Sequence, residues 1–193
     1  MSLNILVYDI ETVGEMGSNF VENMELTIAG VYSYLRDEYV GYTKDDIDAM
    51  NEEFKKADLL VGYNSDHFDA PILNTYMAFD LTAIPSLDLL KYVRARTGRR
   101  IKLDSIAGAT LSEYKSGSGL EAMDLYREGR WEELYKYCLD DVKITKDVFD
   151  FAREHQYLAY NSKDGWLRLK IPLEFDVEEV IKTQKQQIQY QFL

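Results

Sequence analysis

Cysteine is almost missing from this chain: Cys138 stands alone among 193 residues. No intrachain disulfide can form, so the fold must rest on its hydrophobic core. Proline occurs three times and glycine 11 times, too few for a collagen-like or linker-rich polymer. Basic residues are also in deficit, with Lys+Arg at 22 against Asp+Glu at 34, a net charge of −12 and a pI near 4.6. That balance excludes a protein that coats a duplex by bulk charge, and any nucleic-acid contact has to be local. No apolar run approaches the roughly 18–20 residues needed to span a bilayer. Met1 to Asp9 has neither a basic stretch nor a small-residue cleavage site, and it reads as a first strand rather than a signal peptide. A soluble, cytoplasmic protein without membrane contact is expected. Hydrophobic residues at 46% and charged residues at 29% are ordinary globular values, and the length suits one large domain.

Leu3 to Tyr8 is a compact run of strand formers that gives way to polar chemistry at Asp9 and Glu11, as a buried central strand does at its end. Glu25 to Tyr34 and Glu38 to Thr43, joined at Arg36-Asp37, predict a hairpin, so three antiparallel strands follow one another. From Asp45 the spacing turns helical, with Ile47, Met50 and Phe54 on one face, and Leu59 to Tyr63 returns to a strand parallel to the first. Helices are expected over 66–77, 87–97, 103–109 and 120–127, and the longest from Arg130 to about Glu154. A hairpin turning at Lys163-Asp164-Gly165 and a Gln-rich helix from Val177 to Tyr190 close the chain, and Gly117-Ser118-Gly119 is the expected mobile loop or lid.

Chemistry concentrates at three places. Asp9 and Glu11 are two apart on a strand, so both project to the same side. Paired carboxylates there must be solvated, protonated or neutralised by a cation, and a turn or capping role stands beside a metal-binding one. In Gly62 to Pro71, Asp66 or Ser65 can cap the following helix, whereas Asp69, one turn into it beside Phe68 and Ile72, has a reason to face inward. Tyr137 and Asp141 are four apart on the long helix, in line with Leu134 and Val148; the alternative is a surface helix whose Asp140 and Asp141 pair with Lys136, Lys143 or Lys146. Separately, Arg94, Arg96, Arg99 and Arg100 lie between Lys91 and Lys102 with no acid among them. They form either a groove for a nucleic-acid strand or a helix end whose cations meet the carboxy-terminal dipole. Tyr63, Phe68 and Tyr114 are aromatics able to stack on terminal bases.

In this order along the chain, Asp9-Ile10-Glu11-Thr12, Asn64-Ser65-Asp66-His67-Phe68-Asp69 and Tyr137-Cys138-Leu139-Asp140-Asp141 resemble the three motifs of the DEDD exonucleases, which belong to the ribonuclease H-like superfamily. The resemblance spans about residues 3 to 154. Ser86 to Leu90 and Lys102 to Ile106 are similar to the proofreading-domain relatives of family-B DNA polymerases and to small bacterial and archaeal predicted exonucleases. Lys136 occupies the place of the histidine that marks one subclass, and Tyr137 points to the tyrosine subclass, leaving His67 and His155 as helix-start and helix-end residues.

The resemblance implies an α/β ribonuclease H-like fold, a mixed central β-sheet flanked by helices on both sides. The domain it describes is expected over 1–155; residues 156–193 fall outside the resemblance and are expected to form a hairpin-helix extension packed on the same domain. It also implies two divalent ions, Mg²⁺ or Mn²⁺: Asp9 bridging both, Glu11 and Asp141 holding the one that activates the attacking water, Asp69 supporting the second through water, and Tyr137 orienting the nucleophile. Metal binding should then stabilise the fold, and low pH should oppose it by protonating the ligands. The expected activity is 3′-to-5′ release of nucleoside monophosphates from single-stranded DNA or RNA 3′ ends, DNA first, with Asn64, Phe68, Arg94, Arg99 and Arg100 on the substrate and a protein partner for processivity left open. The rivals are a catalytically silent nucleic-acid-binding or scaffolding module on the same fold, and a structure-selective endonuclease.

Overall fold

The computed structural model describes residues 2–15, 17–113, 119–162 and 167–191. The expected Lys163-Asp164-Gly165 turn, the Gly117-Ser118 part of the expected loop, and Tyr114 lie outside the described residues. The apolar runs become five strands of one sheet: β1 (Ile5–Gly14), β2 (Met24–Ser33), β3 (Glu38–Tyr42), β4 (Leu59–Gly62) and β5 (Ser86–Asp88), ordered β3-β2-β1-β4-β5. β1, β2 and β3 pair antiparallel, whereas β4 joins β1, and β5 joins β4, in parallel. Parallel neighbours need crossovers, and the chain supplies them as helices. These are α2 (Ile47–Phe54) before β4 and α3 (Asp69–Asn74) before β5, while α1 (Phe20–Asn23) is a single turn between β1 and β2.

Strand alternation sorts the core onto the two faces of the sheet. Leu6, Tyr8, Ile10 and Leu60 pack with Met50 and Phe54 of α2 and Ile72 and Leu73 of α3. Ile5, Val7, Leu59 and Val61 face the other way. There they meet α4 (Leu89–Thr97), α5 (Leu103–Leu111) and the 25-residue α7 (Trp131–His155) through Val93, Ile106, Val142, Val148 and Phe149. α6 (Gly119–Arg127) covers Ile28 of β2 through Ala122 and Leu125. The mixed sheet with helices on both sides is therefore present.

The chain continues into a separate two-stranded sheet, β6 (Tyr157–Asn161) with β7 (Arg168–Pro172), and α8 (Val177–Gln191). Leu158, Ile171, Leu173 and Ile181 are buried in the same cluster as Val142 and Phe149. From α8, Gln184 reaches the open edge of β5: its side-chain carbonyl accepts from the Ser86 amide (2.8 Å) and its side-chain amide donates to the Ser86 carbonyl (2.7 Å). One side chain thus does what a sixth strand would do.

Three local expectations are corrected. β1 does not stop before Asp9 but runs through to Gly14, because β2 continues to pair with it after β4 has ended at Val7. Asp69 is the first residue of α3 rather than one turn inside it, since residues 64–68 form a turn in which the His67 and Phe68 amides both donate to the Asn64 carbonyl. Leu87 and Asp88 belong to β5, and α4 begins only at Leu89.

Candidate metal centre

Asp9 and Glu11 sit on the stretch of β1 that β4 no longer covers, and the alternation set by Ile5 and Val7 turns both towards α7. Beside them the β1–β2 ladder is irregular: Glu11 pairs with Ile28 and Thr12 with Leu26, so Thr27 is the extra residue of a bulge. The Thr27 hydroxyl donates to the Glu11 carbonyl at 2.8 Å. Bulges sharpen local twist, and this one falls where the acidic pair needs to be aimed.

Opposite Asp9 lies Gly30. A Cβ at Gly30 would stand 2.9 Å from both Cys138 Sγ and Val142 Cγ2, so only glycine lets α7 lie this close to the sheet. The Cys138 thiol, fully buried, points its Sγ at the Asp9 carbonyl at 3.8 Å. Asp141, 2% exposed, falls between those two contact residues and is carried inward with them. One carboxylate oxygen from each of Asp9, Glu11 and Asp141 lies within 4.8 Å of the others. The surface-helix alternative for Asp141 is thereby excluded, and Lys143 and Lys146 pair instead with Asp147 and Asp150.

Asp69 stands outside that triangle but close to it. It is 4% exposed and accepts the Ile10 amide at 3.1 Å, occupying the side of β1 that β4 has left. Burial, and after it the neighbouring charge of Asp9, pushes its carboxyl well above the usual range. Tyr137 is 6% exposed, and its hydroxyl is raised first by burial and then by Asp141, Glu11 and Asp9, so it titrates in the field of all three acids. The donor set is entirely hard oxygen, and three carboxylates held this close repel one another unless a cation intervenes. The cluster fits a divalent ion such as Mg²⁺ or Mn²⁺.

The remaining expected residues divide. Asn64 takes a left-handed conformation (φ 68), its amide donating to Asp88 (2.8 Å) and its side-chain oxygen accepting from Arg100. Arg94 and Arg100 line a cavity of about 310 Å³ with Asn64, Asp66 and His67, and Arg99 lies over the Tyr160 ring at 5.1 Å. Phe68 is stacked on Phe20 (5.6 Å, 7°), so one face is already covered. Tyr63 is 9% exposed in the core, and its hydroxyl donates to the Ile101 carbonyl; it is a structural residue, not a base-stacking one. Asp66 and Ser65 do not cap α3; Asp66 accepts from Ser86 and Lys91 instead. His67 packs near Phe20 and His155 against Phe151. Asp88 has a role that its sequence neighbourhood does not predict. It is 3% exposed, and it caps α4 through Leu90 while fixing Asn64. An acid between a short apolar run and a helix was its only signal.

Residues 6–153 match the RNase H superfamily. The chain belongs to that superfamily. No curated protein sequence matches it. Among solved structures, this RNase H-like chain is similar to the family B DNA polymerase from the hyperthermophilic archaeon Pyrobaculum calidifontis, with a TM-score of 0.61 and 20% identity, over 79% of this chain and 25% of that one. At that identity the likeness establishes the fold alone, and the chain spans a quarter of the polymerase's length. The RNase H-like fold hosts its chemistry at the site, so function has to be argued from the carboxylates. Among the described residues no helix is long and apolar enough to cross a membrane.

Proposed function

We propose that the protein is a metal-dependent 3′-to-5′ exonuclease of the tyrosine DEDD type, hydrolysing single-stranded nucleic acid, DNA by preference, within the cytoplasm. The observation that carries this reading is the convergence of Asp9, Glu11 and Asp141 from two elements 130 residues apart, with Asp69 and Tyr137 beside them. Asp9, Glu11 and Asp141 would hold two divalent ions, Asp69 supporting the second. Bound there, the ions supply positive charge for the attacking and leaving oxygens of a phosphodiester. The other roles fall to the chain itself. Tyr137, kept protonated by burial as well as by its acidic neighbours, donates a hydrogen bond that positions the nucleophilic water and is not a base. Asp69 holds the Ile10 amide and so fixes the strand between the two acids it follows. Asn64, locked from both its backbone and its side chain, and the half-buried ring of Phe68 place the terminal nucleotide. The division into a catalytic domain over 1–155 and an appended 156–193 belongs to the same proposal.

The test is digestion of 5′-labelled single-stranded DNA and RNA with Mg²⁺, Mn²⁺ or EDTA, beside a circular strand and the Asp141→Ala variant. A metal-dependent ladder shortening from the 3′ end, missing in the variant and with the circle intact, is the expected result. Cutting of the circle would replace this reading with an endonuclease, and a folded protein inert towards every polymer would leave a binding module.

A further inference from the structure

We infer that the turn between α4 and α5 is a phosphate-binding surface that grips single-stranded nucleic acid upstream of the end being cut. The inference extends the nuclease reading and rests on it for the identity of the strand. Arg94, Arg96, Arg99, Arg100 and Lys102 are all exposed, yet none of the five has a carboxylate at ion-pairing distance among the described residues. Many cations elsewhere are drawn into pairs, among them Lys44 with Glu25, Arg36 with Glu53, Lys91 with Asp66, Lys146 with Asp150 and Lys185 with Asp58. Lys55, Lys56, Lys136, Arg168 and Lys170 are not, among the described residues, but they are spread along the chain, and nowhere else do five follow one another without an acid between them. In a chain with an acid excess of 12, unpaired cations gathered on one turn call for an anion from outside.

The helix dipole accounts for only part of the group. Arg94 and Arg96 lie in the last turn of α4, where cations are favoured, but the helix ends at Gly98 (φ 73), and Arg99, Arg100 and Lys102 come after it. The turn is also pre-ordered. The Gly98 amide donates to the Arg94 carbonyl at 2.8 Å, the Thr97 hydroxyl donates to the Val93 carbonyl at 2.7 Å, and the Tyr63 hydroxyl donates to the Ile101 carbonyl. Arg99 rests on the Tyr160 ring, so the extension after α7 contributes the platform that holds this guanidinium. Arg100 donates to the Asn64 side chain, five residues before Asp69, which ties the basic turn to the acidic centre. A rigid row of charges leading to a carboxylate cluster suits a phosphodiester backbone, with the bases left unread.

Binding measured in EDTA, where no hydrolysis intervenes, tests this surface separately from the activity. With the full chain and a fluorescein-labelled oligothymidylate, the salt dependence of affinity should follow about −0.7 per phosphate contact, a log–log slope near −3.5 if all five cations engage. Arg99→Gln with Arg100→Gln should flatten that slope by about 1.4 and weaken binding about tenfold or more at low salt. Arg94→Gln with Arg96→Gln, which leaves the Asn64 contact alone, should do the same, whereas Lys55→Gln with Lys56→Gln should leave the slope as it was. Equal slopes in both arginine pairs and the wild type, no binding by the wild type, or equal competition by polyglutamate would overturn the proposal. Loss of binding in the arginine pairs without hydrolysis by the wild type would keep the surface and remove the nuclease. Hydrolysis with unaltered binding would do the reverse.

Discussion

At Asp69 a single buried carboxylate makes stability depend on pH. Its pKa is raised in the fold, first by burial and then by Asp9. A group raised on folding contributes stability that is complete below its unfolded pKa and is lost as pH climbs through the folded one. In EDTA, therefore, Tm should rise as pH is lowered from neutral towards the ordinary carboxylate range. With saturating Mg²⁺ the slope should reverse, because protons then compete with the ion. Asp69→Asn keeps an acceptor for the Ile10 amide but removes the charge, so it should abolish the rise in EDTA; scanning calorimetry of both proteins across pH decides the matter. Asp9→Ala and Asp141→Ala should each lower the hydrolysis rate by about a thousandfold or more while leaving the far-ultraviolet circular dichroism intact. Tyr137→Phe should cost about ten- to a hundredfold in kcat with little change in metal affinity if, as proposed, its hydroxyl positions water rather than holding an ion. Metal titrations followed by Tm separate the two classes.

Among the elements, the approach of α7 to β2 decides whether a site exists. Gly30→Ala puts a Cβ against Cys138 and Val142, and it should destabilise by about 1–3 kcal/mol as the helix is pushed away. The readout that matters is metal affinity. Asp141 rides between those two contacts, so displacement of α7 should weaken Mg²⁺ binding more than an equally destabilising substitution elsewhere in the core. At the other edge of the sheet, Gln184→Ala removes both hydrogen bonds to Ser86. A loss of about 1–2 kcal/mol is expected, together with a tendency of the uncovered β5 edge to pair with another chain, visible by light scattering. Both effects are of packing, and neither side chain announces itself in the sequence: Gly30 is one glycine of 11, and Gln184 one residue in a Gln-rich run.

For the whole molecule, four carboxylates gathered at one place make the metal-free protein a strained electrostatic object within a chain already at −12. Mg²⁺ or Mn²⁺ at about a hundred times its dissociation constant should stabilise the fold by about 2.7 kcal/mol. At about 2–4 °C per kcal/mol for a chain of this size, that is a rise in Tm of about 5–10 °C, and EDTA should reverse it. An unchanged melting curve would mean that the cluster does not take an ion in solution.

The motif acids were legible because their chemistry is local. A spacing of two on a strand puts Asp9 and Glu11 on one side, and a spacing of four on a helix aligns Tyr137 with Asp141, whatever the rest of the chain does. Runs of strand formers likewise marked β1 to β4, and the short Arg36-Asp37 connection and the helical spacing before Leu59 indicated their antiparallel and parallel pairing, whereas the three-residue β5 was hidden in what reads as the start of α4. What the tertiary structure alone decided is everything that depends on a partner distant in sequence. The Thr27 bulge and the Gly30 contact bring α7 onto β1, and the early end of β4 leaves the Ile10 amide for Asp69. The aromatics follow the same rule: Tyr63 and Phe68 are alike in sequence, but the Tyr63 hydroxyl is tied to the Ile101 carbonyl in the core, whereas Phe68 has one ring face stacked on Phe20. Residue type and spacing determine what a side chain can do, but whether it is free to do it depends on which distant surface folding presses against it.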